Sequence, residues 1–385
     1  MKKKLLFVAE NMNMNGANKS LINLLTALKS PEIEVDLFLY SHTGPLLELL
    51  PEHIHLLDEN KYMFLSETDL KTVMREGNIV TRWLRVKCLA QKKIFKQDTK
   101  LLRQKIWNYF EGLPKEYDLA VGYCEGSSHS FVLKKTIAKK TIGWVHIDYQ
   151  NHKLEDWEEK SLKQLDAIVT VSEKCKNSLV EKGIPAGKIK IIYNIILPNV
   201  IKKLSDEQKI EKDRKKIELL TVGRLVPDKG IDILLLTAKR LVQLGYDISW
   251  KIIGEGVRKK SLEESIEQWN GNRYMTFLGN RINPYPYFQA CDIYVQPSRT
   301  EGWGLAITEA KILGKPIVAS DIEVFRKQIR SGENGVLAEI TPEAMSAAIE
   351  KLIRNQELVN LIKNNLRQEQ LGNEKEVEKL YEFFE

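Results

Sequence analysis

The sequence predicts an α/β protein built from two doubly wound, Rossmann-like parallel-sheet domains. Short β-branched or aliphatic runs alternate with longer helical patterns, the signature of parallel α/β architecture. The alternation restarts near Glu218, and the highly charged stretch VIKKLSDEQKIEKDRKK separates the two series.

In order, the first series predicts strands at Leu5–Ala9, Glu34–Tyr40, Ile54–Leu57, Leu119–Gly122, Thr141–Trp144, Ala167–Val171 and Lys188–Ile192. The second predicts Glu218–Val222, Ser249–Ile253, Met275–Leu278, Ile293–Gln296 and Pro316–Ala319. These set the expected domains at 1–196 and 197–372, with the charged stretch as an exposed linker carrying at most a helical turn or two. The tail 373–385 offers Val377, Leu380, Tyr381 and Phe384 as the apolar side of a terminal helix. Such a helix needs a docking surface, and the first domain is the expected one. Ligands of doubly wound sheets bind beyond the carboxyl ends of the strands, so the chemistry is sought in the loops there, facing a common cleft.

With 385 residues, the chain has room for two or three domains, and its 43% apolar and 29% charged residues are those of an ordinary globular protein. No apolar run approaches the roughly 18 residues of a transmembrane candidate. The start MKKKLLFVAENMN reads as a buried first strand and not a signal peptide, because LLFVA is short and Glu10 follows at once. Cys88, Cys124, Cys175 and Cys291 are scattered without a C-x-x-C pair, which argues against a zinc site or a disulfide framework and suits a reducing, cytoplasmic setting. The net charge of +7 is uneven. Segment 82–107 interleaves basic residues such as Arg82, Arg85, Lys92 and Lys93 with Trp83, Ile94, Phe95 and Trp107. It reads as an amphipathic helix with a solvated basic face, or as a peripheral surface for anionic lipid headgroups. Nucleic acid is not an expected partner, since no recognisable binding motif accompanies the charge.

Five constellations bear on chemistry. In SRTEGWGLAITEA, Gly302 and Gly304 permit close backbone approach, and a helix opening near Leu305 presents unpaired N–H groups to an anion. Glu301 precedes that helix, and Glu309, about one turn inside it, has the reach for bidentate hydrogen bonds to a ribose. Alone, the element is equally a polar loop with a glycine-rich helix start. In TVGRLVPDKGIDILL, Arg224 and Lys229 lie in a strand-to-helix loop, where two cations neutralise a diphosphate. WKIIGEGVRKK carries a G-x-G without the third glycine of the dinucleotide fingerprint, which counts against an ordinary NAD site. In ENMNMNGANKS, Gly16 would let a phosphate or sugar reach its N–H, although a plain turn explains it equally well. In KKTIGWVHIDY, His146 and Asp148 fall at the carboxyl end of a strand; a lone His is more often a structural hydrogen-bonder than a catalyst, but the position favours function, with His146 expected to look across at Glu301.

Taken together, NGANKS, GWVHIDY, GRLVPDKGID, IIGEG, FLGNRINPY, DIYVQPSRTEGWGLAITEA and GKPIVASDI resemble the retaining glycosyltransferases of family 4, which have the two-domain GT-B fold. The motifs run in family order from residue 16 to about 335. EGSSHS before GWVHIDY, and the tail GNEKEVEKLYEFF, look more like bacterial capsule and exopolysaccharide transferases than starch or sucrose enzymes. The resemblance implies transfer, with retention, from a nucleoside-diphosphate sugar, UDP ahead of GDP, to a saccharide acceptor that is expected to be lipid-linked. It implies that Arg224 and Lys229 bind the diphosphate and that Glu309 holds the ribose. Backbone at Leu278 and Gly279 would meet the base. Glu301 and the N–H groups from Gly302 to Leu305, with Gly304 among them, would orient the sugar. Gly16 would approach the phosphate, and His146 the sugar. No cofactor or metal is implied, and no D-x-D pair is present. One departure is Asn15, where the family commonly has a second glycine; Asn tolerates left-handed backbone, so the loop is expected to survive. The competing expectations are a soluble transferase acting on a small molecule or protein, and a non-catalytic GT-B partner subunit.

Overall fold

The computed structural model describes residues 2–59, 112–150 and 152–384, together with Met74, Ile79, Arg82, Trp83 and Val86. Apart from Arg82, Trp83 and Val86, the basic segment 82–107 lies outside the described residues. The chain forms two compact units, one of Met1–Ile195 with Glu374–Glu385, the other of Ile196–Asn373.

The first unit holds a seven-stranded parallel sheet in the order β3-β2-β1-β4-β5-β6-β7. Its strands are β1 (Lys3–Ala9), β2 (Ile33–Leu39), β3 (Ile54–Leu56), β4 (Glu116–Gly122), β5 (Ile137–Val145), β6 (Ala167–Thr170) and β7 (Ile189–Ile191). Leu5 to Ala9 are all fully buried, as a strand covered on both faces requires, which is why the run lacks alternation. Helices α1 (Gly16–Ala27) and α2 (Ser127–Lys135) follow β1 and β4, the two strands flanking the point where the strand order reverses. Phe131 of α2 stacks on Phe38 of β2 with centroids 4.9 Å apart, joining helix and sheet in one core.

His129 of α2 is 1% exposed, with Nε2 3.1 Å from the carbonyl oxygen of Trp144. Burial pushes its pKa down to about 4, against the opposing influence of Glu125 and two backbone carbonyls. The unfolded chain therefore takes up a proton near pH 6.5 that the folded chain refuses until about pH 4. Stability contributed by the neutral ring is complete above 6.5 and is lost as pH falls through that window, by about 1.4 kcal/mol per pH unit at most. Denaturant melts between pH 7 and 4 should show a steeper loss for the wild type than for His129→Gln. Parallel curves would refute the assignment.

The tail completes this unit. It forms short turns at Glu374–Val377, Glu378–Tyr381 and Glu382–Phe384 instead of the single helix expected. Val377, Leu380 and Phe383 are its buried residues, so Phe383 takes the place foreseen for Phe384. The backbone N–H of Tyr193 donates to Glu376 (3.0 Å), and Lys190 pairs with Glu382 at 2.7 Å beside the ring of Phe383.

The second unit has a six-stranded parallel sheet, ordered β10-β9-β8-β11-β12-β13. The strands are β8 (Ile217–Val222), β9 (Ile248–Ile253), β10 (Met275–Gly279), β11 (Ile293–Gln296), β12 (Ile317–Ser320) and β13 (Val336–Ala338). Each strand expected from sequence is present, with ends shifted by a few residues, and β13 is an addition. The charged stretch is not a free connector. Its start forms helix α3 (Pro198–Ser205), with proline at the first position and Lys202 and Lys203 in the last turn, where cations suit the helix dipole. Ile201, 4% exposed, packs with Ile196 and Ile312 within this unit, a burial worth about 2 kcal/mol. Beyond β8 come α4 (Ile231–Gln243), α5 (Tyr285–Ala290), α6 (Leu305–Ile312) and α7 (Glu323–Arg326).

Candidate active site

Strand order reverses in the second sheet between β8 and β11, so the loops leaving these two strands flank the ligand position of a doubly wound sheet. The β8 loop carries Arg224 and Lys229, and the β11 loop carries Glu301. These loops are built against each other. Arg299 grips Asp232 with two bonds of 2.8 and 2.7 Å and donates to the carbonyl of Pro227 at 2.8 Å. Its own N–H donates to the carbonyl of Asp228 at 2.7 Å. Gly230 adopts φ +65°, and a Cβ there would stand 1.9 Å from the carbonyl oxygen of Pro297, so only glycine lets the loops meet this closely.

The result is an ion pair between Lys229 Nζ and Glu301 Oε1 at 2.5 Å, with the side chains only 15% and 13% exposed. Ser298 Oγ donates to the same Oε1 at 3.0 Å. Arg224 is exposed and makes no ion pair among the described residues, leaving its guanidinium available to an anion.

Helix α6 opens immediately after Gly304, whose φ of +81° and close neighbour, the Phe325 ring of α7, both require glycine. No side chain caps this helix; the N–H of Ile307 donates to the carbonyl of Gly304 at 2.9 Å, and the N–H groups of Leu305 and Ala306 receive no side-chain cap. Gln328 braces the element: its Nε2 donates to the carbonyl of Trp303, and its Oε1 accepts from Thr308 at 3.0 Å. Glu309 lies in the second turn of α6, 7% exposed, and its Oε1 accepts the hydroxyl proton of Tyr285 at 3.0 Å. Burial, and after it the neighbouring Glu309, pushes the Tyr285 phenol well up, which keeps it a donor.

Leu278 and Gly279 end β10, and the carbonyl of Gly279 accepts from the N–H of Gly254 at 2.9 Å. The G-x-G of IIGEG has a backbone task. A Cβ on Gly254 would lie 1.9 Å from the Gly223 carbonyl oxygen, and one on Gly256 would lie 2.4 Å from that of Leu225. These glycines let the β9 loop press on the loop that bears Arg224.

In the first unit, Gly16 is the first residue of α1, and a Cβ there would meet nothing within 4 Å. Asn15 does not use the tolerance of Asn for left-handed backbone. Its φ is −149°, extended, and its side chain caps α1 by accepting from the N–H of Asn18 at 2.8 Å. His146 follows the end of β5. Its Nε2 lies 3.0 Å from the Tyr123 carbonyl oxygen, and since a carbonyl only accepts, Nε2 carries the proton and Nδ1 is the acceptor. The backbone N–H groups of His146 and Ile147 both donate to Glu125 Oε1. Burial holds the imidazole pKa below its ordinary value, with Glu125 opposing, so the ring is neutral. Asp148 pairs with Lys174 at 3.0 Å and is thereby tied to its own unit.

Sequence reasoning missed Ser298, Arg299 with Asp232, Tyr285, Gln328 and Glu125. For Ser298 a signal was available: Tyr294, Gln296 and Ser298 place polar groups at every second position through β11 and just beyond it. Among the described residues no cluster of three or more His, Cys, Asp or Glu could hold a metal ion, and no helix is long and apolar enough to cross a membrane.

The family model described as Glycosyltransferase Family 4 matches residues 14–199, and that described as Glycosyl transferases group 1 matches residues 202–369. A 41.2 kDa protein of the cps region of Klebsiella pneumoniae is 33% identical over 178 residues, 46% of this chain and 48% of its own length. The capsular polysaccharide biosynthesis glycosyltransferase CapM of Staphylococcus aureus is 26% identical over 210 residues, 52% of this chain and 55% of its own. The chain thus spans about half the length of the curated relatives it matches. HepE of Anabaena, crystallised with UDP and glucose, has a TM-score of 0.68 over 99% of this chain and 98% of its own. At 17% identity that likeness shows the fold alone. With one of these models on each unit and a doubly wound sheet within each match, the chain belongs to the family 4, group 1 glycosyltransferases of GT-B fold.

Proposed function

We propose that the chain is a retaining hexosyltransferase that moves a sugar from a UDP-sugar to a lipid-linked saccharide during assembly of a cell-surface polysaccharide. The observation that carries this reading is the Lys229–Glu301 ion pair at the strand-order reversal, beside the uncapped start of α6. A nucleoside diphosphate is a polyanion, and exposed Arg224, Lys229 and an open helix N-terminus are complementary to it. On this reading Arg224 and Lys229, without a metal ion or cofactor, offset the charge that develops on the departing diphosphate. Glu309 holds the ribose, and the backbone at Leu278 and Gly279 meets the base. Glu301 and the N–H groups at Gly304 and Leu305 orient the transferred sugar. Gly16 offers its N–H to phosphate, and His146 offers the lone pair of Nδ1 to a sugar hydroxyl. CapM is named for capsule synthesis, and HepE was crystallised with UDP and glucose, which supports the choice of polysaccharide and nucleotide. The cytoplasmic, peripheral membrane contact is assigned to segment 82–107 on its sequence.

The test is a hydrolysis panel of UDP- and GDP-sugars, read by proton NMR during the first turnovers. The expected result is hydrolysis of a UDP-sugar with its anomeric configuration kept in the released sugar, and mass-shifted product when a lipid-linked saccharide is added. Inversion, or turnover of GDP-sugars only, would overturn the corresponding part of the reading.

A further inference from the structure

We propose that Gln296 is a positioning residue for Glu301, acting through a one-way hydrogen-bond chain that runs from Tyr294 through Gln296 and Ser298 to the carboxylate. The proposal rests on the role given to Glu301 above.

Tyr294 and Gln296 belong to β11, where their spacing of two puts them on one face, and Ser298 follows two residues further on. They are 0%, 2% and 0% exposed. The Tyr294 hydroxyl donates to Gln296 Oε1, Gln296 Nε2 donates to Ser298 Oγ at 2.8 Å, and Ser298 Oγ donates to Glu301 Oε1 at 3.0 Å. Chemistry at the far end sets the direction. Glu301, paired with Lys229, is a carboxylate and can only accept, so the single proton of Ser298 goes to it. Ser298 Oγ must then accept from Gln296, so the amide turns its NH2 toward Ser298 and its oxygen toward Tyr294. The Tyr294 phenol stays protonated because burial, reinforced by the charges of Glu309 and Glu301, pushes its pKa well up.

The opposite amide orientation would take the Ser298 proton away from Glu301. Tyr294 selects against it, since its other acceptor, the carbonyl of Val222, is 3.4 Å away. Two donors, Lys229 from the β8 loop and Ser298 from the β11 loop, therefore meet on the same oxygen. Together they pin Oε1, which with the Cγ–Cδ bond fixes the carboxylate plane and leaves Oε2 to neither donor. A residue needed only to fill the strand interior would be apolar; the alternation of polar groups here has its outlet in Glu301.

The test uses the full chain, UDP, and the UDP-sugar hydrolysed in the panel above; a panel with no hydrolysed sugar overturns the function itself. Gln296→Met keeps length but neither donates nor accepts as an amide does. Gln296→Met and Ser298→Ala are each expected to lower kcat about tenfold with the Kd for UDP within about twofold. The double variant should be no slower than Ser298→Ala, because a chain cut once is not cut further. Wild-type kcat in Gln296→Met, or factors that multiply in the double variant, would overturn the proposal. Should Gln296→Met not fold, Tyr294→Phe decides, since it frees the amide to reverse. Lower kcat with unchanged UDP binding supports the chain, and wild-type kcat overturns it. Glu301→Gln is the separate control: unchanged kcat there removes the role of Glu301 itself.

Discussion

Replacing Lys229 by alanine is expected to lower turnover about a thousandfold, the upper range for losing one preorganised charge at a reacting centre. Lys229 is held on the short turn Pro227–Lys229, which Gly230 closes in left-handed backbone. Its side chain is only 15% exposed, so few rotamers other than the one that reaches Glu301 are open to it. Two effects combine in the variant. The cation proposed to face the departing diphosphate is gone, and Glu301 keeps Ser298 as its remaining donor in a site that is mostly closed to water. Stranding a fully buried carboxylate costs about 3–5 kcal/mol, and the 13% exposure of Glu301 together with the Ser298 bond reduces that to about 1–2 kcal/mol. A Tm lowered by a few degrees should thus accompany a far larger kinetic loss. Lys229→Arg should fall between, because the guanidinium preserves charge but not the compact point contact. Steady-state kinetics beside thermal melts check this. A kcat for Lys229→Ala within threefold of wild type would remove Lys229 from the reaction.

The strands were legible because parallel strands buried on both faces leave unbroken apolar runs, as Leu5–Ala9 and Ile317–Ala319 do. The three-residue edge strand β13 was not, since Val336–Ala338 lacks the apolar–polar–apolar alternation that the equally short β3 and β7 show at Ile54, His55 and Leu56 and at Ile189, Lys190 and Ile191. In the charged stretch, Ile201 is the buried contact of α3, and its flanking lysines concealed it. Glu301, Lys229, Arg224 and Glu309 were visible as charged loop and helix residues that follow predicted strands, where a doubly wound sheet places its ligand loops. Their pairing was not visible. The bond from Tyr285 to Glu309 and the grip of Arg299 on Asp232 join segments that only the closing of the sheet brings together. Nor does a sequence show whether a glycine makes room for a ligand or for backbone. Gly254 and Gly256 turned out to serve the chain itself, whereas a Cβ at Gly16 would enter open space.

Glu309→Ala is expected to raise the Kd for UDP about a hundredfold, close to 3 kcal/mol, which is the worth of one or two hydrogen bonds to a charged acceptor. Tyr285 occupies Oε1 and fixes the carboxylate, so the rotamer is set before a nucleotide arrives. Alanine also removes the Glu309 acceptor of the Tyr285 hydroxyl and opens a small void. Those costs burden the free and bound protein alike, and they belong to the melting curve, not to the affinity. The discriminating measurement is a cycle with 2′-deoxy-UDP, titrated calorimetrically against both proteins. Wild type should bind the deoxy analogue at least about tenfold more weakly than UDP, while Glu309→Ala should hardly tell the two apart, since the partner of the missing hydroxyl is already gone. Glu309→Gln should show partial discrimination, because its amide retains the shape and Tyr285 still has an oxygen to donate to. If wild type and Glu309→Ala distinguish the two nucleotides equally, Glu309 does not hold the ribose, and its bond with Tyr285 serves only to anchor α6.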